Sequence, residues 1–443
     1  MPGALPDPRT APLIAAGLRT PLARARTSLA GVEVQHLLAP VLRELVKRTG
    51  VPAMAVEEVV VGNAAGGGGN LARLAALEAG LPESVPGLTI DRQCGSGLDA
   101  VVLACRLAQG GGVFLAGGAE SISTAPVRGR RAADGAIELF SRAQHAPSGD
   151  DGDGDPEMGV AAETVAREAG VSRGRQDWFA LRSHRRALAA ASAGSYEAEL
   201  VTIPAAGTTV TADNGPRARL DASLLSRFPA AFIRGGTVTA GNSCTDADGA
   251  AAVLVVGPGD APALASPRSR ALAFVDAVTA GVDPRRLGLG GAVAAETLLE
   301  RHGIAPTDLA AIEFNEAFAG QVLACMDRLG LDDAHIDKVL NTDGGSLALG
   351  HAYAASGAVS VVRLLARAQS LPEGSLCLAM ISSAGGLGTA ALFESRRLPC
   401  DEWSLLTRRV VNSGATSGHF SSGNASSASP RPLAARASPV LRA

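Results

Sequence analysis

Cys94 stands in DRQCGSGLDA, between a segment that reads as a strand and one that reads as a helix. A thiol at that junction meets unpaired helix-start amides and the positive end of the helix dipole, which favour thiolate and can receive a developing oxyanion. That is how a nucleophile is placed. The bland alternative is a small buried cysteine, the reading given to Cys105, Cys325 and Cys377, each within an apolar run. His351, in NTDGGSLALGHAYAASG, follows a Gly-rich turn that lets a substrate come close. Its neutral imidazole can take the Cys94 proton and later donate Nε2–H to a carbonyl oxygen. The other histidines suit the role less: His36 and His184 sit in charged helical stretches, His302 and His335 border turns, His145 lies in an acidic loop and His419 in a polar tail. NEAFAG at 315–320 ends an apolar strand with Asn315 and Glu316. Asn at a strand end is ordinarily a turn former; as a functional group its amide holds a water or donates to a carbonyl, and both readings stand on the residues alone.

The elements around these residues repeat. RTGVPAMAVEEVVVGN at 48–63 returns in character as RHGIAPTDLAAIEFN at 301–315, ending at Asn63 and Asn315. SGLDAVVLACRLAQG at 96–110 parallels SGAVSVVRLLARAQ at 356–369, with Ser96-Gly97 matching Ser356-Gly357. Two matches in the same order at similar offset point to duplicated α/β halves. Each half reads as strand, Gly-rich turn, helix, strand: 85–93, a helix near 95–109 and a strand at 112–120, then 335–345, a turn at 343–350, a helix at 352–368 and a strand at 376–386. Apolar strands without clean alternation imply a sheet covered on both faces. Residues 121–245 break the rhythm with an acidic loop and two amphipathic helices, and read as an inserted lid or subdomain whose flexible return lies at Gly235, Gly236 and Gly241. The expected division is 1–270 and 271–395, with a disordered Ser/Gly/Ala/Pro tail at 396–443.

Composition bounds the function. Aromatics are 3% of the chain against 47% hydrophobic residues overall, so the core must be closely packed Ala, Val and Leu. The formal charge of -3, with no large Lys/Arg cluster, argues against a nucleic-acid partner. Six cysteines without a CxxC pair argue against a disulfide scaffold and a Cys-based zinc site. DGDGDPE at 151–157 lacks the Gly and Glu that an EF-hand loop needs, so no metal is expected. No apolar run approaches the roughly 18 residues of a membrane span, and the opening segment lacks a secretory pattern. Arg19, Arg24 and Arg26 mimic a transit peptide, but Asp7 and four early prolines oppose that, leaving the cytoplasm as the expectation.

Taken together, DRQCGSGLDA, GGAESISTAP (117–126), GGTVTAGNSCTDADGAAA (235–252), NEAFAG and GGSLALGHAYAASG closely resemble the thiolase family, the acyl-CoA C-acyltransferases. The motifs follow in family order from about Arg19 to Glu394. The resemblance implies a five-layer αβαβα core of two duplicated halves, a CoA-binding loop domain within the first, and a homodimer or homotetramer. It implies that Cys94 is the acylated nucleophile, that His351 activates it, and that His351 with an Asn315-held water forms one oxyanion hole. The amides of Cys94 and Ala384 form the second. The implied reaction is cleavage of a 3-oxoacyl-CoA with CoA, or condensation of two acyl-CoAs, with CoA and acyl-CoA as substrates and no resident cofactor. Enzymes of β-oxidation or of a biosynthetic route are the partners it suggests.

The chain also departs from that pattern. The family's second cysteine opens a CxGGG-like motif and moves the proton at the α-carbon; here the segment is ISSAGGLG and the matching residue is Ser382. A hydroxyl is a far weaker acid or base than a thiol of pKa about 8.5. Cys244, beside Ser243 in GNSCTDADGA, falls where the family commonly has a serine lining the pantetheine channel. It is either a near-isosteric replacement or half of an exchange of thiol and hydroxyl with Ser382. Ala352 and Ala354 stand for a usual Pro and Gly. Arg182, Arg185 and Arg217 are candidates for the CoA phosphates, and spacing does not choose among them. The alternatives are an acyl-CoA hydrolase or acyl-transfer protein with impaired carbon–carbon chemistry, and a non-catalytic CoA-binding subunit. Cys94, Asn315 and His351 together argue against the last.

Overall fold

The computed structural model describes residues 10–140, 142–260 and 270–398. Of the tail expected at 396–443, only 396–398 are among them; Arg396 and Arg397 complete a strand, so ordered structure runs slightly past the expected boundary.

A ten-stranded mixed sheet carries the fold. Its principal strands are β1 (Leu13–Arg19), β2 (Val56–Gly62), β3 (Gly87–Ile90), β4 (Val113–Glu120), β5 (Ala247–Val256), β6 (Arg270–Gly281), β7 (Ala311–Phe314), β8 (Leu376–Ser383) and β9 (Leu387–Arg397). They run in the order β7-β8-β9-β6-β1-β5-β4-β2-β3, and the short Ala23–Arg24 pairs with β5. The halves join where β1 meets β6, through only Leu13↔Ala273 and Ile14↔Leu272. Strands β4 and β5 are buried at every position, which small and branched residues such as VFLAGGAE and GAAAVLVV permit.

The layers follow from the helices. Helices α1 (Val34–Thr49) and α2 (Leu71–Ala79) cover the outer face of the first half, where Leu37, Leu38, Leu42 and Leu45 meet Val59, Val61 and Leu254. Helices α3 (Ser96–Leu107) and α9 (Tyr353–Ala368) lie in the middle and contact strands of both halves. Helices α6 (Gly290–His302) and α7 (Ala319–Arg328) complete the far side, packing Leu298 and Val322 into a third core with Phe314 and Met380. The result is helix, sheet, helix, sheet, helix.

The duplication is visible in the pairing: β2 runs parallel to β4 as β7 runs parallel to β8, and each inner strand continues into an antiparallel neighbour. One expectation is corrected. The 335–345 segment is not a strand; Asp333–Val339 forms helix α8, capped by Asp332, whose side chain accepts from the His335 amide. A single parallel bridge, Leu340 to Ile312, remains where β3 pairs with β2 in the first half.

The insertion holds α4 (Met158–Glu168), α5 (Arg173–Ser192) and two small hairpins. It is fastened to the second half: Arg175 pairs with Asp327 and Asp333, and Arg182 with Asp337. Its return is also held, because the Glu163 carboxylate accepts from Thr237 N, Thr237 Oγ1 and Val238 N. Of the three glycines expected to flex, only Gly235 has positive φ (+74) and open space; a Cβ on Gly236 meets the Glu163 carboxylate at 2.6 Å, and one on Gly241 meets Leu225 at 2.7 Å.

Candidate active site

Cys94 is set by a strained turn and a serine. Gln93, immediately before it, has φ +52, a conformation that costs a non-glycine residue about 1 kcal/mol or more and persists only where neighbours enforce it. Ser96 Oγ is one enforcer, donating to Gln93 O at 2.6 Å and accepting from Arg92 N at 2.7 Å. The amides of Cys94 and Ala384 both face the sulfur and favour its anion, but burial and the nearby Glu120 prevail and push the thiol up to about 12. The expectation that the helix start makes a ready thiolate is therefore corrected. This sulfur needs a base.

His351 lines the same cavity with an unpartnered ring nitrogen. Its amide donates to Thr245 O at 2.8 Å and its carbonyl accepts from Ala247 N at 3.1 Å, which stitches the loop before α9 to the start of β5. Nδ1 lies 2.7 Å from Ser356 Oγ, while Nε2 is buried with no partner. Burial holds the imidazole down to about 4, so it is neutral near pH 7. With Nδ1–H donating to Ser356, Nε2 keeps a lone pair for a proton. Cys94 and His351 line one cavity of about 550 Å³. Ser356 was missed as a functional residue, although the repeat had aligned it with Ser96. The duplicated serines thus support the Cys94 loop in one half and the His351 imidazole in the other.

Asn315 lies one cavity away. Its side chain is buried, neither amide atom has a partner, and it lines a neighbouring space of about 30 Å³, the size of one water, which Ser356 also lines. The duplicated residue in the first half, Asn63, commits its amide to Ala119 O and Glu120 Oε1. Asn63 is thus spent on a neighbouring strand, whereas Asn315 keeps its hydrogen-bonding capacity. Glu316 next to it accepts from Ser183 Oγ, Asn341 Nδ2 and Leu347 N, which anchors the loop.

Ser382 lines the main cavity with Cys94, but its hydroxyl is committed. It donates to Gly288 O at 2.7 Å and accepts from Gly291 N at 3.0 Å, tying β8 to the start of α6. Ala384 lines the cavity, as do Ser243 and Cys244. Cys244 N donates to Ala317 O at 2.9 Å, fixing the thiol beside the loop that carries Asn315. The candidate phosphate arginines lie elsewhere. Arg182 is buried and spent on Asp337 and the carbonyls of Ile336 and Leu340, Arg185 is on the exposed side of α5, and the half-buried Arg217 adjoins His184, whose Nδ1 accepts from the Arg217 amide. None of the three lines this cavity. The insertion does contribute Arg142, His145, Met158 and Phe232 to its wall. Two residues there lie inside the quoted motifs without having been singled out: Tyr353, at φ +29, donates its hydroxyl to Asp246 at 3.0 Å. Among the described residues no cluster of three or more possible ligands could hold a metal, and no helix is long and apolar enough to cross a membrane.

Two α/β halves thus enclose one central pair of helices, with the Cys94 thiol just before the start of α3 and the His351 imidazole just before the start of α9. The family models agree: Thiolase, N-terminal domain, matches residues 13–258, and Thiolase, C-terminal domain, matches 269–395. The chain belongs to the thiolase family and is an acyltransferase acting on acyl-CoA. It is 41% identical over 386 residues to "Putative acetyl-CoA C-acetyltransferase VraB" of Staphylococcus haemolyticus, covering 86% of this chain and 97% of that protein. It is 42% identical over 363 residues to "Putative acetyl-CoA C-acetyltransferase YhfS" of Bacillus subtilis, covering 81% and 92%. The crystal structure of the Bacillus anthracis acetyl-CoA acetyltransferase superposes with a TM-score of 0.76 at 33% identity, over 88% of this chain and 99% of that one.

Proposed function

We propose that the protein is a C-acyltransferase that cleaves a 3-oxoacyl-CoA with CoA, or condenses two acyl-CoAs by the reverse path, through an acyl-Cys94 intermediate. The observation that carries this reading is the shared cavity of Cys94 and His351, with two amides on the sulfur and Nε2 left unpartnered. Nε2 takes the Cys94 proton, and the thiolate attacks the 3-oxo carbon. The amides of Cys94 and Ala384 then face the oxyanion formed on that carbon, in a site where fixed dipoles act more strongly than in water. The carbon–carbon bond breaks to leave acyl-Cys94 and the enolate of the shorter acyl-CoA, whose oxygen lies toward His351 and Asn315. CoA attacks the acyl-Cys94 in the second half, as expected of a ping-pong reaction.

The reading includes CoA binding along the wall that Ser243 and the insertion contribute, and self-association into a dimer or tetramer. The hairpin Arg128–Arg131/Ile137–Phe140, with Val127, Ile137 and Leu139 exposed, supports a partner on that face. One observation favours the hydrolase alternative: the committed hydroxyl of Ser382 leaves the α-carbon proton without the expected carrier. The test is to incubate the protein with acetoacetyl-CoA, map the acyl group by peptide mass spectrometry, and follow acetyl-CoA release on adding CoA. An acyl group on Cys94, absent in Cys94→Ala, with release dependent on CoA, is the expected result. An undiminished adduct in Cys94→Ala would overturn the assignment, and release by water alone would replace transfer with hydrolysis.

A further inference from the structure

Breaking the carbon–carbon bond sends its electron pair to the α-carbon, and that carbon must receive a proton. The groups that line the cavity divide by what their protons are doing. Cys94 is consumed as the nucleophile. Ser382 donates to Gly288 O while accepting from Gly291 N, so releasing its proton breaks the bond to Gly288 O and leaves two oxygens facing each other without a hydrogen between them. The Tyr353 hydroxyl is held by Asp246. Cys244 lines the same wall, and its sulfur hands no proton to a carbonyl, whereas the Cys325 thiol donates to Gly288 O and that of Cys377 faces Ser375 O. Among the described residues it is the second thiol of the cavity, and Cys94 and Asp246 are both close enough to act on its charge.

Resting on the acyl-transfer reading above, we propose that Cys244 is the proton carrier at the α-carbon. As the bond breaks, Cys244 Sγ–H gives its proton to the enolate carbon, the electron pair becomes a C–H bond, and Cys244 is left as thiolate. The incoming CoA thiol then returns a proton to Cys244 and attacks acyl-Cys94 as thiolate. Cys94 leaves as thiolate and recovers the proton that His351 took. In condensation the same groups work in reverse, with the Cys244 thiolate removing the α-proton. Burial and the Asp246 carboxylate raise the Cys244 thiol above its ordinary value, so it holds its proton until a carbanion forms. This suits the donor of the cleavage direction.

The readout that isolates this step is hydrogen exchange at carbon. Acetyl-CoA is incubated with the enzyme in D2O, deuterium entering the methyl group is followed by mass spectrometry, and the adduct on Cys94 is measured in parallel. Native enzyme should exchange. Cys244→Ser and Cys244→Ala should acylate Cys94 within about threefold of native, yet lose exchange and acetoacetyl-CoA thiolysis by about 10²-fold or more, the scale of a positioned acid or base. Retained exchange in either acylating variant would overturn the proposal. So would exchange that is absent from a native enzyme that acylates, or loss of acylation in both variants along with exchange, which marks a structural role. A native enzyme that forms no Cys94 adduct would instead overturn the acyl-transfer reading itself.

Discussion

Gly97→Ala tests whether the distance between Cys94 and His351, the proposed nucleophile and base, is set by the central helices. Gly97 follows Cys94 by three positions, and Ala354 follows His351 by three. A Cβ on Gly97 would lie 2.1 Å from Ala354 O and 3.2 Å from Ala358 N; one on Gly357 would lie 2.6 Å from Leu98 N. Helices α3 and α9 therefore cross backbone against backbone. Restoring even a tight 3.0 Å contact requires the helix starts to part by about 0.9 Å, because the obstruction is a carbonyl rather than a mobile side-chain tip. A displacement near 1 Å between reacting groups costs about 10²-fold in rate, while overpacking of this kind costs about 1–3 kcal/mol of stability. Burst acylation of Cys94 by acetoacetyl-CoA, measured with urea unfolding, separates the two effects. Acylation should fall about 10²-fold in protein that remains folded. Gly174→Ala is the matched control: it lies in α5 with nothing within 4 Å of the added methyl, and should raise stability by up to about 1 kcal/mol with native acylation. Native acylation in folded Gly97→Ala would refute the view that this crossing fixes the site.

Ser382→Cys should raise thiolysis by less than about threefold, because the position is occupied in joining β8 to α6; a tenfold gain in steady-state assays would show that the reaction wants a thiol there. His184 and His351 are both held down to about 4 by burial, so each contributes stability that is whole above the ordinary imidazole value of 6.5 and is lost as pH falls from there through about 4. By pH 5 that loss is about 2 kcal/mol for each, and His184→Asn should flatten the pH dependence of the urea midpoint over this window; an unchanged slope would refute the assignment. Glu199→Gln should cost about 3 kcal/mol, since Glu199 joins the buried guanidiniums of Arg19 and Arg363, leaving Asp213 paired with the first and Asp343, with Glu313 nearby, for the second. Calorimetry showing a loss under 1 kcal/mol would mean that this network is replaceable.

The fold was legible because the duplication left marks that side-chain type alone preserves: two apolar strands leading to Asn63 and Asn315, and two helices carrying Ser-Gly in their first turns. The strand expected at 335–345 failed because its apolar residues are few enough to serve a short helix, and Asp332 caps that helix through a contact that periodicity does not register. At the site, Cys94 and His351 stood out through their Gly-rich approaches, whereas the electrostatics did not. The helix start argued for a thiolate, and burial with Glu120 reverses that, a balance that depends on which charges the fold gathers from distant segments. Arg182 was a plausible phosphate ligand until α8 supplied Asp337 and two carbonyls to it across more than 150 positions of chain.

The low aromatic content and abundant glycine acquire a mechanical meaning from the same geometry. The halves share only two residue pairs across the β1–β6 seam, too little to fix one active-site loop relative to the other. Registration passes instead through the central layer, where Gly97, Gly118 and Gly357 bring strand and helix backbones to distances that any Cβ would forbid. A core built on large side chains would space these elements by rotamers, each able to shift by a fraction of an ångström. Backbone contact has no such freedom. Cys94 and His351 each stand a turn from that contact, braced by Ser96 and Ser356, so the pair proposed as nucleophile and base inherits the precision of the crossing rather than that of its own loops. Small residues are thus required most strictly at the layer that carries the chemistry, and substitutions there should impair acylation before they unfold the protein.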